Sequence, residues 1–506
     1  MGWAASLLFL SLLLVGVLFQ ETHQISRDDF PPDFVFGAGT SAIQVEGAAA
    51  EDGRSPSIWD TYVRSGKMMD NSNFDIAADQ YHRYKEDVKL MSDMGLDAYR
   101  FSISWTRLLP EGRGAINPKG LQYYNNLINE LISYGIEPHV TLHHLDIPQV
   151  LEDEYEGWLS QKIVEDFRAY ADVCFREFGD RVKYWSTLNE PNIVSLGAYD
   201  QGSMPPEHCS HPFGMQNCTA GNSSVEPYVA THNQLLAHAE AARLYMEKYQ
   251  AKQNGWIGIS IYTFWMEPQT NKTEDVAATQ RALDFMVGWF FNPLVFGDYP
   301  EIMKKNAGSR LPAFTKSQSQ LVKGAFDFIG INHYATITIA DKLRPGDGLR
   351  DYTGDMFATF VQGNQSSSGP PPIVISVTPS GIERMLEYIQ KTYGNPPIYV
   401  HENGRGIGLN VKLEDYERVD YLNSYLEFVL KAVRNGSNTK GYFVWSFLDM
   451  FEILFGYQVK YGLIEVDFTD KNLPRHPRQS AHWYSDFLKR NNVKIEKAVV
   501  SSYQST

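Results

Sequence analysis

Eight short runs rich in β-branched and aromatic residues, each followed by a longer stretch before the next, constrain this chain more than any other feature of it. They are FVFGAGTSA (34–42), AYRFSIS (98–104), EPHVTLH (137–143), YWSTLN (184–189), WIGISIY (256–262), FDFIGIN (326–332), PIYVHEN (397–403) and GYFVWSF (441–447). Most are continuous apolar runs rather than alternating ones, the pattern of parallel strands covered on both faces. Seven stretches between and after them carry apolar residues at three-and-four spacing: 77–95, 118–135, 160–179, 225–249, 379–394, 417–436 and 476–490. The first three end on Gly, a favoured helix stop. Strand and helix in alternation mean βα units on a parallel sheet, and eight such units predict a closed (β/α)8 TIM barrel of the α/β class.

Insertions rich in Gly, Ser, Pro and Asn at about 192–224 and 341–372 are then long βα loops over the C-terminal face, where barrels of this kind place their sites. No linker interrupts the pattern, so residues 25–506 are expected to form one domain, even though 506 residues would allow more on length alone. Residues 1–24 read differently. Leu7 to Phe19 is almost unbroken apolar sequence followed by polar QETHQ, too short a core to cross a bilayer interior of about 30 Å. It fits the apolar region of a secretory signal peptide, although no Lys or Arg precedes it and no A-x-A cleavage site follows.

A formal net charge of −15 disfavours nucleic acid and anionic membrane surfaces as partners and suits an uncharged small molecule. Cys209 and Cys218 stand nine positions apart in a Pro/Gly/Asn-rich stretch, compatible with a disulfide closing a surface loop in an oxidising compartment. Cys174 lies in an apolar helical pattern and reads as a buried thiol. Sequons at Asn217, Asn222, Asn271, Asn364 and Asn435, taken with the leader, point to the secretory pathway and to N-glycosylation, with cell wall and vacuole both open as destinations. His143 and His144 are adjacent rather than spaced as metal ligands, and no metal or other cofactor is expected.

In a barrel the last residues of each strand carry the chemistry. Two strands, the fourth and the seventh, end in Glu: TLNEP at 187–191 and HENG at 401–404. Strands four and seven lie across the barrel from one another, so Glu190 and Glu402 can oppose. Cleavage of a glycosidic bond needs such a pair, one carboxylic acid to protonate the leaving oxygen and one carboxylate to attack or to activate water.

With these motifs the chain resembles glycoside hydrolase family 1, the family of retaining β-glucosidases, and in particular its plant secretory members. The resemblance runs from about Phe34 to Lys489 and rests on FGAGTSAIQVEG (36–47), YRFSISW (99–105), TLNEP, HENG, VWSFLDMFE (444–452) and CTAGNSS (218–224). It implies Glu190 as acid/base and Glu402 as nucleophile, acting on β-D-glucosides of small plant metabolites. It further implies Asn189 as donor to the sugar 2-hydroxyl, Gln44 and His144 as binders of the 3- and 4-hydroxyls, Trp445 as the platform under the ring and Glu452 as the grip on the 4- and 6-hydroxyls. Tyr334, in the NHY segment, matches the Tyr that holds the nucleophile. Asn332 and Arg100 are supporting residues, Arg100 being the cation expected to lower the pKa of Glu402 and keep it ionised.

Three positions depart from the family pattern. His144-Leu145-Asp146 stands for the usual HWD, Ile453 takes the place of a Trp after Glu452, and Phe264 occupies a position that is polar in some plant relatives. Similar HHLD and FE-aliphatic segments occur in relatives that resemble acyl-glucose-dependent transglucosidases or hydroxyisourate hydrolases, which makes such an activity at the same site the alternative reading.

Overall fold

The structure, a computed structural model, describes residues 25–342, 348–361, 377–409, 411 and 413–490. The expected leader and the Asn364 sequon lie outside the described residues. Eight parallel strands form the barrel: β1 (Val35–Gly39), β2 (Ala98–Ser102), β3 (Glu137–His143), β4 (Tyr184–Asn189), β5 (Trp256–Pro268), β6 (Phe328–Asp341), β7 (Ile398–Asn403) and β8 (Thr439–Trp445). Each pairs with its sequence neighbours, and β8 returns to β1 through Val35↔Gly441 to Gly39↔Trp445, which closes the ring.

Helices cover the ring in chain order: α1 (Gln80–Met94), α2 (Pro118–Ser133), α3 (Lys162–Phe178), α4 (Glu226–Leu244), α5 (Thr273–Leu283), α6 (Ser380–Tyr393), α7 (Tyr416–Arg434) and α8 (Gln479–Leu488). Local sequence explains their faces and ends. α3 buries Ile163, Phe167, Tyr170, Ala171, Cys174, Phe175 and Phe178, a stripe at three-and-four spacing; Cys174 is thus the buried thiol its pattern suggests. α2 begins on Pro118 behind the N-cap Asn117, whose side chain accepts from the Lys119 amide at 3.2 Å. α6 stops where Gly394 turns left-handed at φ +75°.

The chain between β5 and β6 is helical in a way that periodicity does not pick out. α5 runs into a π-helical turn over Asp284–Gly288 and on into Trp289–Phe296, which contains Pro293. A π turn adds a residue to the repeat and shifts the buried face, so no single 3.6-residue stripe spans the segment.

Inside the barrel, Ala98, Phe328, Tyr399 and Phe443 form a small apolar cluster of their own, with His139 lying face to face on Tyr184 at 4.3 Å. Glycines make the room for these rings: a Cβ on Gly37 would stand 2.5 Å from the Phe443 ring. The main core lies between strands and helices. β5 and β6 continue past the barrel rim, paired as far as Pro268↔Ile339, and a short strand Ala358–Val361 adds antiparallel to β6. Part of the second insertion is therefore sheet rather than loop. The first insertion opens with a helix, Pro191–Tyr199, and is then pinned by the Cys209–Cys218 disulfide and by reciprocal bonds between Ser210 and Ser223. Asn217, Asn222, Asn271 and Asn435 are all exposed. Among the described residues no helix is long and apolar enough to cross a membrane.

Candidate active site

Both Glu-bearing strands are irregular just where their carboxylates must be aimed. Along β4, Ser186 faces Gly258 and Asn189 faces Ser260, three steps against two on β5. Along β7, Val400 faces Ile331 and Glu402 faces Asn332, two steps against one on β6. An extra residue in a strand reverses the pleat beyond it, so a side chain due to point outward is turned to the other face. In β7 this leaves both His401 and Glu402 directed to the barrel interior, and Glu402 is only 3% exposed. In β4, Glu190 follows the last strand residue with φ +49°, a strained left-handed backbone for Glu, and Pro191 at once starts a helix. Its amide donates to the Ser260 carbonyl at 2.9 Å.

The two carboxyls are held by unequal sets of partners. Arg100 Nη1 donates to Glu402 Oε1 at 2.7 Å and the Tyr334 hydroxyl donates to Glu402 Oε2 at 2.8 Å. Arg100 Nη2 donates to Asn189 Oδ1 at 2.6 Å, and Asn332 Nδ2 donates to the same oxygen at 3.0 Å. Asn332 Nδ2 also donates to Glu190 Oε1 at 2.8 Å. A continuous network from β2 through β4, β6 and β7 thus fixes both carboxyls relative to each other.

Burial and repulsion from Glu402 push the Glu190 carboxyl up to about 8, against a smaller opposing pull from Asn332 and Arg100. Burial raises Glu402 as well, opposed by Arg100, Tyr334 and Asn332. Arg100 lowers Glu402, in the direction expected of it, but burial outweighs the guanidinium and the net shift is upward. Glu402 has a cation and a phenol on its oxygens and ionises first; Glu190, with an amide alone, keeps its proton longer.

The remaining expected residues gather on the same face. The rings of His144 and Trp445 stack at 5.6 Å, and Asn189 Nδ2 lies 3.2 Å from His144 Nε2. Burial, Arg100 and His143 hold His144 well below its ordinary value, so it is neutral. Gln44 Nε2 donates to the Phe451 carbonyl at 2.9 Å and to Glu452 Oε2 at 3.3 Å. Glu452 Oε1 is buried without a hydrogen-bond partner among the described residues, and burial, Asp449 and Glu402 raise that carboxyl well above its usual range. Leu145 is buried with φ +73°, its carbonyl accepting from the Trp59 indole at 3.1 Å. Ile453 packs half-buried on the main core.

Residues that sequence reading passed over also belong here. Tyr262 stacks on Tyr334 at 5.7 Å, and Tyr461 meets Tyr334 edge-on at 6.4 Å. Tyr262 carried one signal, its place at the end of the fifth strand run; Tyr461 carried none. Among the described residues no group of three or more His, Cys, Asp or Glu side chains is arranged to hold a metal ion.

Comparison with known proteins bears directly on this geometry. The profile of glycosyl hydrolase family 1 matches residues 26–493. The chain is 60% identical to β-glucosidase 22 of Oryza sativa subsp. japonica, over 94% of this chain and 90% of that protein. It is 57% identical to a cyanidin 3-O-glucoside 7-O-glucosyltransferase (acyl-glucose) of Delphinium grandiflorum, over 97% of each. A crystal structure of a rice β-glucosidase superimposes with a TM-score of 0.88 at 45% identity, covering 92% of this chain and 99% of that one.

Proposed function

The chain belongs to glycosyl hydrolase family 1, and on that premise we propose that Glu402 is its nucleophile and Glu190 its acid/base. The enzyme is a retaining β-glucosidase, an O-glycosyl hydrolase. Retention follows from two displacements. Glu402 Oε attacks the anomeric carbon as the bond to the leaving oxygen breaks, and Glu190 delivers its proton to that oxygen. The product is a glycosyl ester on Glu402 and a free aglycone alcohol. Water then attacks the anomeric carbon as its bond to Glu402 Oε breaks, Glu190 takes the water proton, and glucose leaves with Glu402 again a carboxylate.

The observation that carries this assignment is the asymmetry of partners around two buried carboxyls. Glu402, fastened by Arg100 and Tyr334, is positioned to be ionised. Glu190, raised to about 8, holds its proton at neutral and acid pH, as a general acid must. Esterification of Glu402 removes the charge that repels a second carboxylate, so Glu190 becomes the stronger acid when it must act as base. Asn189, His144, Gln44 and Glu452 supply donors and acceptors for the sugar hydroxyls, and Trp445 supplies its apolar face; these bonds tighten as the ring flattens toward the oxocarbenium-like state.

A second reading concerns the acceptor. Leu145 and Ile453 replace two indoles, and a 57% identical relative is named for transferring glucose from an acyl-glucose. The same glycosyl-Glu402 ester serves transfer if an acceptor alcohol outcompetes water. The leader expected over residues 1–24, the Cys209–Cys218 disulfide and the exposed sequons support a secreted or vacuolar, glycosylated enzyme.

Product partition tests both readings. The protein is incubated with an aryl β-glucoside and with an acyl-glucose, each with and without an acceptor alcohol, and the anomer of released glucose is followed by NMR. Prompt β-glucose insensitive to acceptor is expected; glucose appearing chiefly on the acceptor would make transfer the main activity. Glu402→Gln is expected to abolish turnover of the aryl glucoside, and substantial residual activity would remove Glu402 as nucleophile.

A further inference from the structure

Ser260 touches both halves of the site from a position that faces no sugar. It lies on β5, fully buried. Its carbonyl accepts from the Glu190 amide at 2.9 Å. Its Oγ lies 2.7 Å from His401 Nδ1, and His401 is the residue before Glu402. The hydrogen bond leaps a strand, because β6 lies between β5 and β7. On β6 the residue in register with Ser260 is Gly330. A Cβ on Gly330 would stand 2.3 Å from His401 Nδ1 and 2.6 Å from Ser260 Oγ, so only glycine leaves the bond its path.

His401 sits at the irregularity that turns Glu402 into the barrel. A bulge is held open by whatever anchors its extra residue, since the ladder cannot. Here the ring is anchored at one end by Ser260 and walled by Phe328 at 5.7 Å, Phe443 at 5.6 Å and Tyr399 at 5.8 Å. Burial, Arg100 and His139 keep it neutral, so its effect on Glu402 is one of placement rather than charge. The left-handed turn at Glu190 depends in the same way on its amide bond to Ser260, the strand partner opposite Asn189.

We infer that Ser260 and His401 are positioning residues for the glycosidase reaction, a brace across Gly330 that sets the aim of Glu402 through the β7 bulge and ties it to the backbone holding Glu190. This rests on the assignment of Glu190 and Glu402 made above. Aim matters because displacement at the anomeric carbon tolerates little misplacement, an error of about 1 Å costing on the order of a hundredfold in rate.

Ser260→Ala tests it, since the substitution deletes Oγ and keeps the carbonyl that Glu190 uses. kcat/KM is expected to fall about tenfold or more for both an activated nitrophenyl β-glucoside and an unactivated alkyl β-glucoside. The inhibition constant of a glucose-like competitive inhibitor is expected to stay within about twofold of the parent's. An equal loss on both leaving groups marks misaimed attack by Glu402, whereas weakened protonation by Glu190 would spare the activated substrate. Gly330→Ala, which fills the path of the bond, is expected to reproduce the loss, and the double variant to lose no more than either alone. Should Gly330→Ala fail to fold, Ser260→Ala decides by itself. Parent-like kcat/KM in Ser260→Ala overturns the inference, as does a loss shared in proportion by inhibitor binding, which would mean general loosening. An inactive Glu402→Gln beside an unimpaired Ser260→Ala fails the brace alone; an active Glu402→Gln fails the assignment beneath it.

Discussion

Glu190 and Glu402 are the same residue type at the ends of two strands, and only their surroundings separate the proposed acid from the proposed nucleophile. Arg100 and Tyr334 sit on one, Asn332 on the other. Repulsion between the two is a named cause of the rise of Glu190 to about 8, which makes its value sensitive to the state of Glu402. Glu402→Gln puts a neutral amide where the charge stood, so the ionised form of Glu190 is no longer repelled and its midpoint should fall, by about one unit or more. Carboxyl titration by NMR or difference infrared spectroscopy in that variant checks it; an unchanged midpoint would leave burial as the whole cause. In the parent the same carboxyl, as the proposed acid, is expected to set the alkaline limb, with kcat/KM falling as pH rises toward 8 and the acid form is lost. The two Glu were legible in sequence as strand-end residues in TLNEP and HENG. Their partners were legible only by resemblance, and the net rise of Glu402 was not, because burial is a property of the folded surroundings.

Elements near the mouth carry a second, unrelated set of buried acids. Asp200, 1% exposed, begins the disulfide-pinned loop after the Pro191–Tyr199 helix, and neither of its carboxyl oxygens has a hydrogen-bond partner among the described residues. Burial, with Asp351 and Asp355 nearby, raises it to about 8. Glu152, in the short helix Gln149–Tyr155, is raised by burial to about 7. For both, the folded state keeps a proton that the unfolded chain releases near the ordinary carboxyl pKa. Their stabilising effect is complete below about pH 4, falls progressively above it, and is gone once pH has risen through the folded values of about 7 and 8. Asp200→Asn should therefore raise stability at pH 8 by about 1–3 kcal/mol and change it little at pH 4, as read from thermal unfolding at the two pH values. Equal effects at both would show that Asp200 is not titrating. At this scale the sequence spoke unevenly. Seven helices and eight strands were readable from apolar spacing, whereas the helices between β5 and β6 were hidden by a π turn and Pro293.

The barrel as a whole depends on matching large and small residues across its interior. Phe328, Tyr399, Phe443 and Tyr184 fill it from four strands, and Gly37, Gly258 and Gly330 lie where a side chain would collide with a ring or a backbone oxygen. Gly37 is on the strand that closes the ring, between Phe443 on β8 and Ala98 on β2. Gly37→Ala should destabilise the whole molecule by about 1–3 kcal/mol, the usual cost of overpacking a filled core. Denaturant unfolding followed by fluorescence and by activity should then shift together, since the closing strand belongs to every part of the fold; activity lost well before fluorescence would point to a local effect.

The alternation of apolar runs with helical spacing was enough to determine a (β/α)8 barrel, and strand-end Glu residues were enough to propose where its chemistry lies, because both depend on short stretches of chain read in order. The tertiary structure alone decided how those stretches are aimed. Extra residues in β4 and β7 reverse the pleat at Glu190 and Glu402, and a hydrogen bond from Ser260 to His401 crosses an intervening strand only where Gly330 lacks a side chain. Neither feature has a local signature, since a bulge is a mismatch between two strands and a cross-strand bond joins residues 141 positions apart. Burial completes the division: the charge that Glu190 carries near neutral pH depends on how much water the assembled barrel excludes and on the carboxylate it places alongside.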